Sequence, residues 1–252
     1  MRQGLKTSYR DFYQSKYVRE NKETNMIYQA IEKDYNTWSD FEYALGDLSK
    51  APKTKERREQ FFGAICDAYE DLQEYLKYAS RRMPSIKYSL PLELGQYLSR
   101  GSRENFEAWL RGSLNESSRI HIDVATFNYT DASDFPKIGN SIRAAGRNIP
   151  VVEANFFQLH GTLANFIIVG CDNATQYSAE CFSSQNEYLI SKDIVCSDAD
   201  VRSARKEVLL RMTDCQLMVI FGSSLGKTDQ TYWRTILVRL TDPSVRLFIF
   251  DF

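Results

Sequence analysis

Five short apolar runs in the second half of the chain constrain the fold more than any other feature of the sequence. The runs are RIHIDVATFNYT at 119–130, VVEANFFQLHG at 151–161, NFIIVG at 165–170, CQLMVIFG at 215–222 and SVRLFIFDF at 244–252. Three of them are almost continuously apolar, as expected for strands that are buried on both faces of a parallel sheet. Helical patterns at 199–213 and 229–241 alternate with the runs, and this alternation predicts an open α/β sheet.

Residues 1–118 have a different pattern and are predicted to be largely helical. Residues 54–80 form the longest amphipathic stretch, in which apolar side chains recur every three or four residues: Phe61, Phe62, Ile65, Tyr69, Leu72 and Leu76. Shorter helices are predicted at 36–46, 89–100 and 102–112, the last two separated by Gly101.

These patterns together predict an α/β fold with an open, mostly parallel sheet in residues 119–252. The helical region, 1–118, is expected to pack on that sheet and to form one compact domain with it. The polar stretch 171–198 is expected to lie at the rim of the sheet.

Composition excludes several classes of partner and site. The chain has 32 Lys and Arg against 33 Asp and Glu, which gives no basic surface for direct nucleic-acid binding or for an anionic membrane. No apolar run is long enough to span a membrane. The five cysteines include no C-x-x-C pair, which favours reduced thiols in a cytoplasm and argues against structural zinc. With two histidines in the chain, no metal site is expected.

Polar residues follow three of the predicted strands. They occupy 128–131, 160–161 and 222–229, and ligands of open α/β sheets bind at the carboxyl ends of strands. We therefore expect these three strand ends to converge on one cleft that contains whatever chemistry the protein performs.

The segment GSSLG at 222–226 matches the G-x-S-x-G pattern of serine hydrolases, and it allows three interpretations. Ser224 as a nucleophile would need a histidine, but none follows it, and His160 precedes it. The segment could instead be an ordinary glycine turn. In the third interpretation, which fits the residues best, the turn holds an anion with its amides and hydroxyls at a helix start. Lys227 can add charge there, and Asp229 caps or begins the helix.

Five segments, in order along the chain, carry a resemblance to a known family: GLKTSYRDF, WSDFE, ATFNYTD, FFQLHG and VIFGSSLGKTDQTYW. Together they resemble the AbiH family of bacterial phage-abortive-infection proteins. AbiH proteins resemble, more distantly, the sirtuin-like NAD-binding fold. The resemblance therefore implies a sirtuin-like Rossmann variant of the α/β sheet and a cytoplasmic, antiviral role set off by a phage trigger.

The sirtuin-like motifs imply a cradle for the phosphate and ribose of NAD. Four consecutive residues match the family's Gly-Thr-Ser-Leu motif, namely Gly222, Ser223, Ser224 and Leu225. The Cys-ligated zinc module of sirtuin deacetylases has no counterpart among these cysteines. The resemblance therefore implies cleavage of NAD more than protein deacetylation.

The same motifs imply roles at the other strand ends. His160 and Gly161 match the catalytic His-Gly, whose imidazole acts as a base toward a ribose hydroxyl. Asn128 matches the asparagine that positions water and ribose. Asp11 and Phe12 match part of the Gly-Ile-Pro-Asp-Phe loop if three residues are inserted.

AbiH-like chains begin with a strand that ends in a Gly-Asn-Gly-Phe-Asp-like turn just upstream of the GLKTSY segment. This chain begins at Met1 without that turn, so a truncated product without the dinucleotide-binding glycines is expected.

Ordinary structural roles compete with each implied role. His160 could be a packed strand-end residue, Asn128 could close an Asx turn, and Asp40 and Glu42 are expected to be helix-start charges. The leading hypothesis is a phage-defence protein that binds NAD and hydrolyses its nicotinamide–ribose bond. Its alternatives are a non-catalytic module that binds a nucleotide or a phage component, a decayed fragment, and a serine hydrolase using Ser224. The sequence leaves the oligomeric state open.

Overall fold

A computed structural model of the chain describes residues 9–19, 22–34, 38–52, 54–82, 98–127, 129, 140–144, 146–164, 167–182, 189–192, 199–221 and 226–250. All structural statements below concern these residues. Among them, no helix is both long and apolar enough to cross a membrane.

The described part of the N-terminal region is helical, as predicted. Its helices are α1 (Tyr9–Tyr13), α2 (Lys16–Arg19), α3 (Met26–Asp34), α4 (Trp38–Leu48), α5 (Lys55–Arg82) and α6 (Arg100–Ser113). The long amphipathic helix predicted at 54–80 is confirmed as α5. The predicted break at Gly101 is wrong, because α6 begins one residue earlier, where the Ser99 side chain accepts a hydrogen bond from the amide of Ser102. Ser99 thus caps the helix and Gly101 lies in its first turn.

The second half of the chain alternates strands and helices. It contains β1 (Ile120–Thr126), β2 (Ser141–Ala144), β3 (Arg147–Gln158), α7 (Ala199–Asp214), β4 (Leu217–Phe221), α8 (Gln230–Arg239) and β5 (Arg246–Phe250). Two parallel pairs are present, β1 with β3 and β4 with β5. The α/β class and the parallel pairing are therefore confirmed.

The prediction of one open sheet is not met by the described residues, which form two separate sheets. One has the order β1-β3-β2, with β2 antiparallel to β3, and the other contains β4 and β5. The NFIIVG run is not a strand in its described part; Ile167 makes one isolated bridge to Gly161. The reason is that Gly161 (φ 74°) and Gly170 (φ 145°) turn the chain before and after this run, in a backbone conformation that L side chains rarely adopt.

The helical region and the α/β region share a core. Cys171, Tyr177 and Ile190 are buried among the side chains of α1 to α5, so the described part of the stretch 171–198 is not an excursion at the sheet rim. The Tyr69 hydroxyl of α5 lies 2.6 Å from the carbonyl oxygen of Val169 and 2.7 Å from that of Leu189. Apolar and aromatic residues scattered through this polar stretch account for its burial.

Candidate functional site

His160 stands just beyond the carboxyl end of β3. Leu159 extends the parallel pairing by donating its amide to the carbonyl oxygen of Thr126 at 3.0 Å, and the chain then reverses at Gly161, which has a φ of 74°. The amide of Ile168 donates to the His160 carbonyl oxygen at 2.8 Å and closes the turn. The side chain of His160 is buried, and its ring meets that of Phe127 edge-on at 5.1 Å.

Asp229 is the partner of His160. It ends a short 3₁₀ helix, Lys227–Asp229, and occupies the N-cap position of α8, as the sequence predicted. Its side chain makes no capping hydrogen bond, however; Oδ1 lies 3.0 Å from Nε2 of His160. The predicted convergence of the end of β3 with the segment after β4 is therefore confirmed by this contact.

Lys192 is the third side chain at this contact and bonds to Asp229. Its ammonium group is fully buried and donates to Asp229 Oδ1 at 2.9 Å, to Glu42 Oε2 at 2.9 Å and to the carbonyl oxygen of Thr228 at 3.1 Å. An ammonium group has three donors, and these three acceptors occupy all of them.

Glu42 links this cluster to α4 of the helical region. Its Oε1 accepts the amide of Gly170 at 3.2 Å, and its Oε2 accepts the hydroxyl of Thr228 at 2.6 Å in addition to Lys192. The expectation that Glu42 is a helix-start charge is wrong, because its side chain is buried against these partners instead of facing solvent. Asp40 lies in the first turn of α4, and the role of its side chain stays a prediction.

A third carboxylate, the buried Asp172, bonds to the start of α8. Oδ2 of Asp172 accepts the amide of Thr231 at 2.8 Å and its hydroxyl at 2.7 Å, while Oδ1 lies 3.5 Å from the guanidinium of Arg205. Arg205 in turn donates to the carbonyl oxygen of Lys192 at 2.7 Å. One first-turn amide of α8, a group that could have faced an anion, is thus already bonded to a carboxylate of the protein.

Ion pairing outweighs burial in setting the charges of this cluster. Burial alone would raise the pKa of Asp229, but the opposing attraction of Lys192 and His160 lowers it. Burial alone would lower the pKa of Lys192, but Glu42 and Asp229 raise it. Both groups are therefore charged at neutral pH, and Lys192 cannot serve as an amine nucleophile. The nearby Cys171 is no thiolate either, because burial raises its pKa to about 12.

The charge of Asp229 fixes the tautomer of His160. An ionised carboxylate can only accept, so the neutral imidazole must donate its proton from Nε2 toward Oδ1. The lone pair that could take a proton from a substrate is then on Nδ1. The cluster thus combines three carboxylate side chains, Glu42, Asp172 and Asp229, with two cationic ones, Lys192 and Arg205.

The other predicted site residues divide into two groups. Five of them lie outside the described residues: Asn128, Gly222, Ser223, Ser224 and Leu225. Phe12 is fully buried in the helical core, against the rings of Tyr28 and Tyr75, and Asp11 is exposed beside it. The roles of these residues in ligand binding remain predictions.

Four residues form buried polar contacts that the sequence patterns did not predict: Glu42, Lys192, Asp172 and Arg205. A signal for Glu42 was present, because it precedes Leu45 by three residues and Ser49 by seven, and so shares the buried face of α4. The pairing of Glu42 with Lys192, 150 residues away, has no local signal.

Comparison with known proteins identifies one family. A family model described as "Bacteriophage abortive infection AbiH" matches residues 1–251. No curated protein and no solved structure matches the chain. Within the described ranges, no group of three or more His, Cys, Asp and Glu side chains is arranged to hold a metal ion.

Proposed function

This chain belongs to the AbiH family of bacteriophage abortive infection proteins, and from that premise we propose that it binds NAD in the cytoplasm and hydrolyses the nicotinamide–ribose bond when a phage trigger is present. The observation that carries this proposal is the contact between His160 and Asp229 at the carboxyl end of a parallel strand. A buried imidazole held by a carboxylate is suited to general-base catalysis.

In the proposed reaction, the carbon–nitrogen bond between ribose and nicotinamide breaks, and nicotinamide leaves with the bonding electron pair. A water oxygen then forms the new bond to the ribose carbon, and one proton is released. His160 would accept that proton at Nδ1, from a ribose hydroxyl or through it from water. Asp229 would stabilise the resulting imidazolium, and its existing 3.0 Å contact means that no rearrangement is needed during the reaction.

The substrate would be held by residues that the sequence alone predicts. Residues 222–225 connect β4 to the segment that carries Asp229, so the predicted phosphate and ribose cradle is adjacent in the chain to the partner of the base. Asn128 follows directly after Phe127, whose ring contacts His160. Both connections along the chain support the proposal that a ligand held by these residues reaches His160.

Nicotinamide release from NAD by the purified protein tests the proposal. We expect His160→Ala to lower the rate about 10²–10⁴-fold, the usual contribution of a general base. His121→Ala is the matched control, because His121 is exposed on β1 and bound to Glu153 at 3.0 Å, away from the cluster. Equal rates for wild type and His160→Ala would contradict the role of His160.

A non-catalytic binding module is the second candidate. The three hydrogen bonds of Lys192 favour this module, because a cluster that is bonded within the protein can stabilise the fold without taking part in a reaction. Calorimetry separates the two: NAD binding without turnover supports the module, and turnover excludes it.

A serine hydrolase is less well supported. In Ser-His-Asp triads the carboxylate binds Nδ1 and the serine faces Nε2, whereas here Asp229 occupies Nε2. Labelling of Ser224 by a fluorophosphonate probe would be the positive result for that reaction.

A further inference from the structure

We infer that Lys192 is a positioning residue for His160, and that Glu42 of the helical region positions Lys192 in turn. Lys192 does so by fixing the Asp229 carboxylate that faces the imidazole. The inference deepens the proposed function, since it concerns how the same base is prepared, but its geometry does not depend on NAD.

Lys192 and His160 share one oxygen atom of Asp229. Oδ1 of Asp229 accepts from Lys192 at 2.9 Å and lies 3.0 Å from Nε2 of His160, so the two nitrogens are no more than about 6 Å apart. A second proton on His160 would therefore meet the charge of Lys192 at short range. Lys192 opposes imidazolium formation while Asp229 favours it, and the position of Lys192 sets the balance between them.

Lys192 also orients the Asp229 carboxylate. A carboxylate that accepts from one partner alone can rotate about its bond to the Cβ atom, whereas Lys192 bonds the same oxygen that faces His160. Lys192 is itself fixed by Glu42 and by the carbonyl oxygen of Thr228, which belongs to the same 3₁₀ helix as Asp229. The ammonium group thus joins the side chain of Asp229 to its own local backbone.

Glu42 holds Lys192 from the helical region. It comes from α4, on the helical side of the molecule, and its carboxylate also accepts the amide of Gly170 and the hydroxyl of Thr228. A helix that contributes nothing directly to the contact with His160 therefore controls the cation behind it. Among the described residues, the titratable groups around the imidazole are Asp229, Lys192 behind it, and Tyr129. The ring centroid of Tyr129 is 6.4 Å from that of His160, and burial raises the pKa of Tyr129.

Nitrogen NMR of ¹⁵N-histidine-labelled protein measures this arrangement directly. The chain has two histidines, and the His121→Gln variant assigns the second imidazole to His160. In the wild-type protein we expect the neutral ring to be the Nε2–H tautomer. In Lys192→Met we expect the ratio of imidazolium to neutral His160 at a fixed pH to rise about a hundredfold, as follows from removing a unit charge at about 6 Å in a medium of effective dielectric constant about 20.

Two further variants test direction and specificity. Glu42→Gln removes a negative charge behind Lys192, so the same ratio is expected to fall. Lys227→Met is the matched control, since Lys227 is exposed, lies two residues before Asp229 and stacks over Tyr43; it is expected to leave the ratio within about twofold.

The double variant Glu42→Gln/Lys192→Met keeps the test valid if Lys192→Met does not fold, because it removes the pair together and leaves less uncompensated charge. Its ratio is expected to rise by less than in Lys192→Met. An unchanged ratio and tautomer in every folded Lys192 variant would overturn the inference. Failure of the proposed function is a separate outcome, because absence of nicotinamide release leaves the NMR result standing.

Discussion

Replacing Lys192 by Met is expected to lower the free energy of unfolding by about 3–5 kcal/mol at neutral pH, the usual cost of removing one partner from a buried ion pair. The methionine is close to lysine in length and apolar, so the loss is electrostatic rather than a loss of volume. Three hydrogen bonds of 2.9–3.1 Å disappear, and the buried Glu42 and the partly buried Asp229 lose their shared cation. Glu42 retains the amide of Gly170 and Asp229 retains His160, which keeps the cost within that range.

Urea unfolding followed by tryptophan fluorescence measures the loss. With a slope of about 2–3 kcal/mol per molar urea, the midpoint should fall by about 1–2.5 M. Lys50→Met is the matched control, because Lys50 pairs with Asp47 at 2.7 Å but on an exposed surface, where such a pair contributes about 0–1 kcal/mol. A double-mutant cycle with Glu42→Gln should give a coupling energy of at least about 1 kcal/mol. Equal losses in the Lys192 and Lys50 variants would refute the reasoning.

Two further predictions concern pH and the turn after His160. The pKa of Asp229 is lowered from 3.8, so its ion pairs add stability that is fully present above about pH 4 and is lost as the pH falls. The pKa of Lys192 is raised above 10.5, so the stability that Lys192 adds is present below about pH 10.5 and is lost as the pH rises further. Wild type should therefore lose more stability than Asp229→Asn when urea midpoints are compared between pH 5 and pH 3, and parallel losses would contradict this. Gly161→Ala should lower the free energy of unfolding by about 1–2 kcal/mol, because Gly161 has a φ of 74°. Gly63 lies in α5, and a Cβ atom added there meets no atom within 4 Å, so Gly63→Ala should be neutral or stabilising by up to about 1 kcal/mol. Thermal unfolding of both variants checks the difference, and equal melting temperatures would exclude a strained turn at Gly161.

The contact between Glu42 and Lys192 joins the helical region to the cluster around His160. Removing or rearranging α4 would free the cation that holds Asp229. Any displacement of α4 would therefore change the surroundings of the His160 side chain.

Local pattern was enough to predict most of the elements. Helix α5 was predicted because apolar residues recur with the period of a helix, and β4 and β5 were predicted because continuous apolar runs of that length suit parallel strands. The expected burial on both faces is not met, since Val219 of β4 and Ile249 of β5 are exposed. His160 was identified because a polar residue followed by glycine ends an apolar strand, and the left-handed φ of Gly161 gives the physical reason for that pair.

The arrangement of these elements came from contacts that are distant in sequence. The split into two sheets and the reversal of the NFIIVG run depend on backbone geometry that apolar periodicity does not encode. Lys192 looked like part of a polar excursion, yet it is fully buried, because Glu42 lies 150 positions before it and Asp229 lies 37 after it. A buried charge is tolerable only beside its counter-charges, and only the folded chain brings them together. Local sequence pattern thus pointed to His160 as a candidate residue, and only the folded chain brought together the charges that surround its side chain.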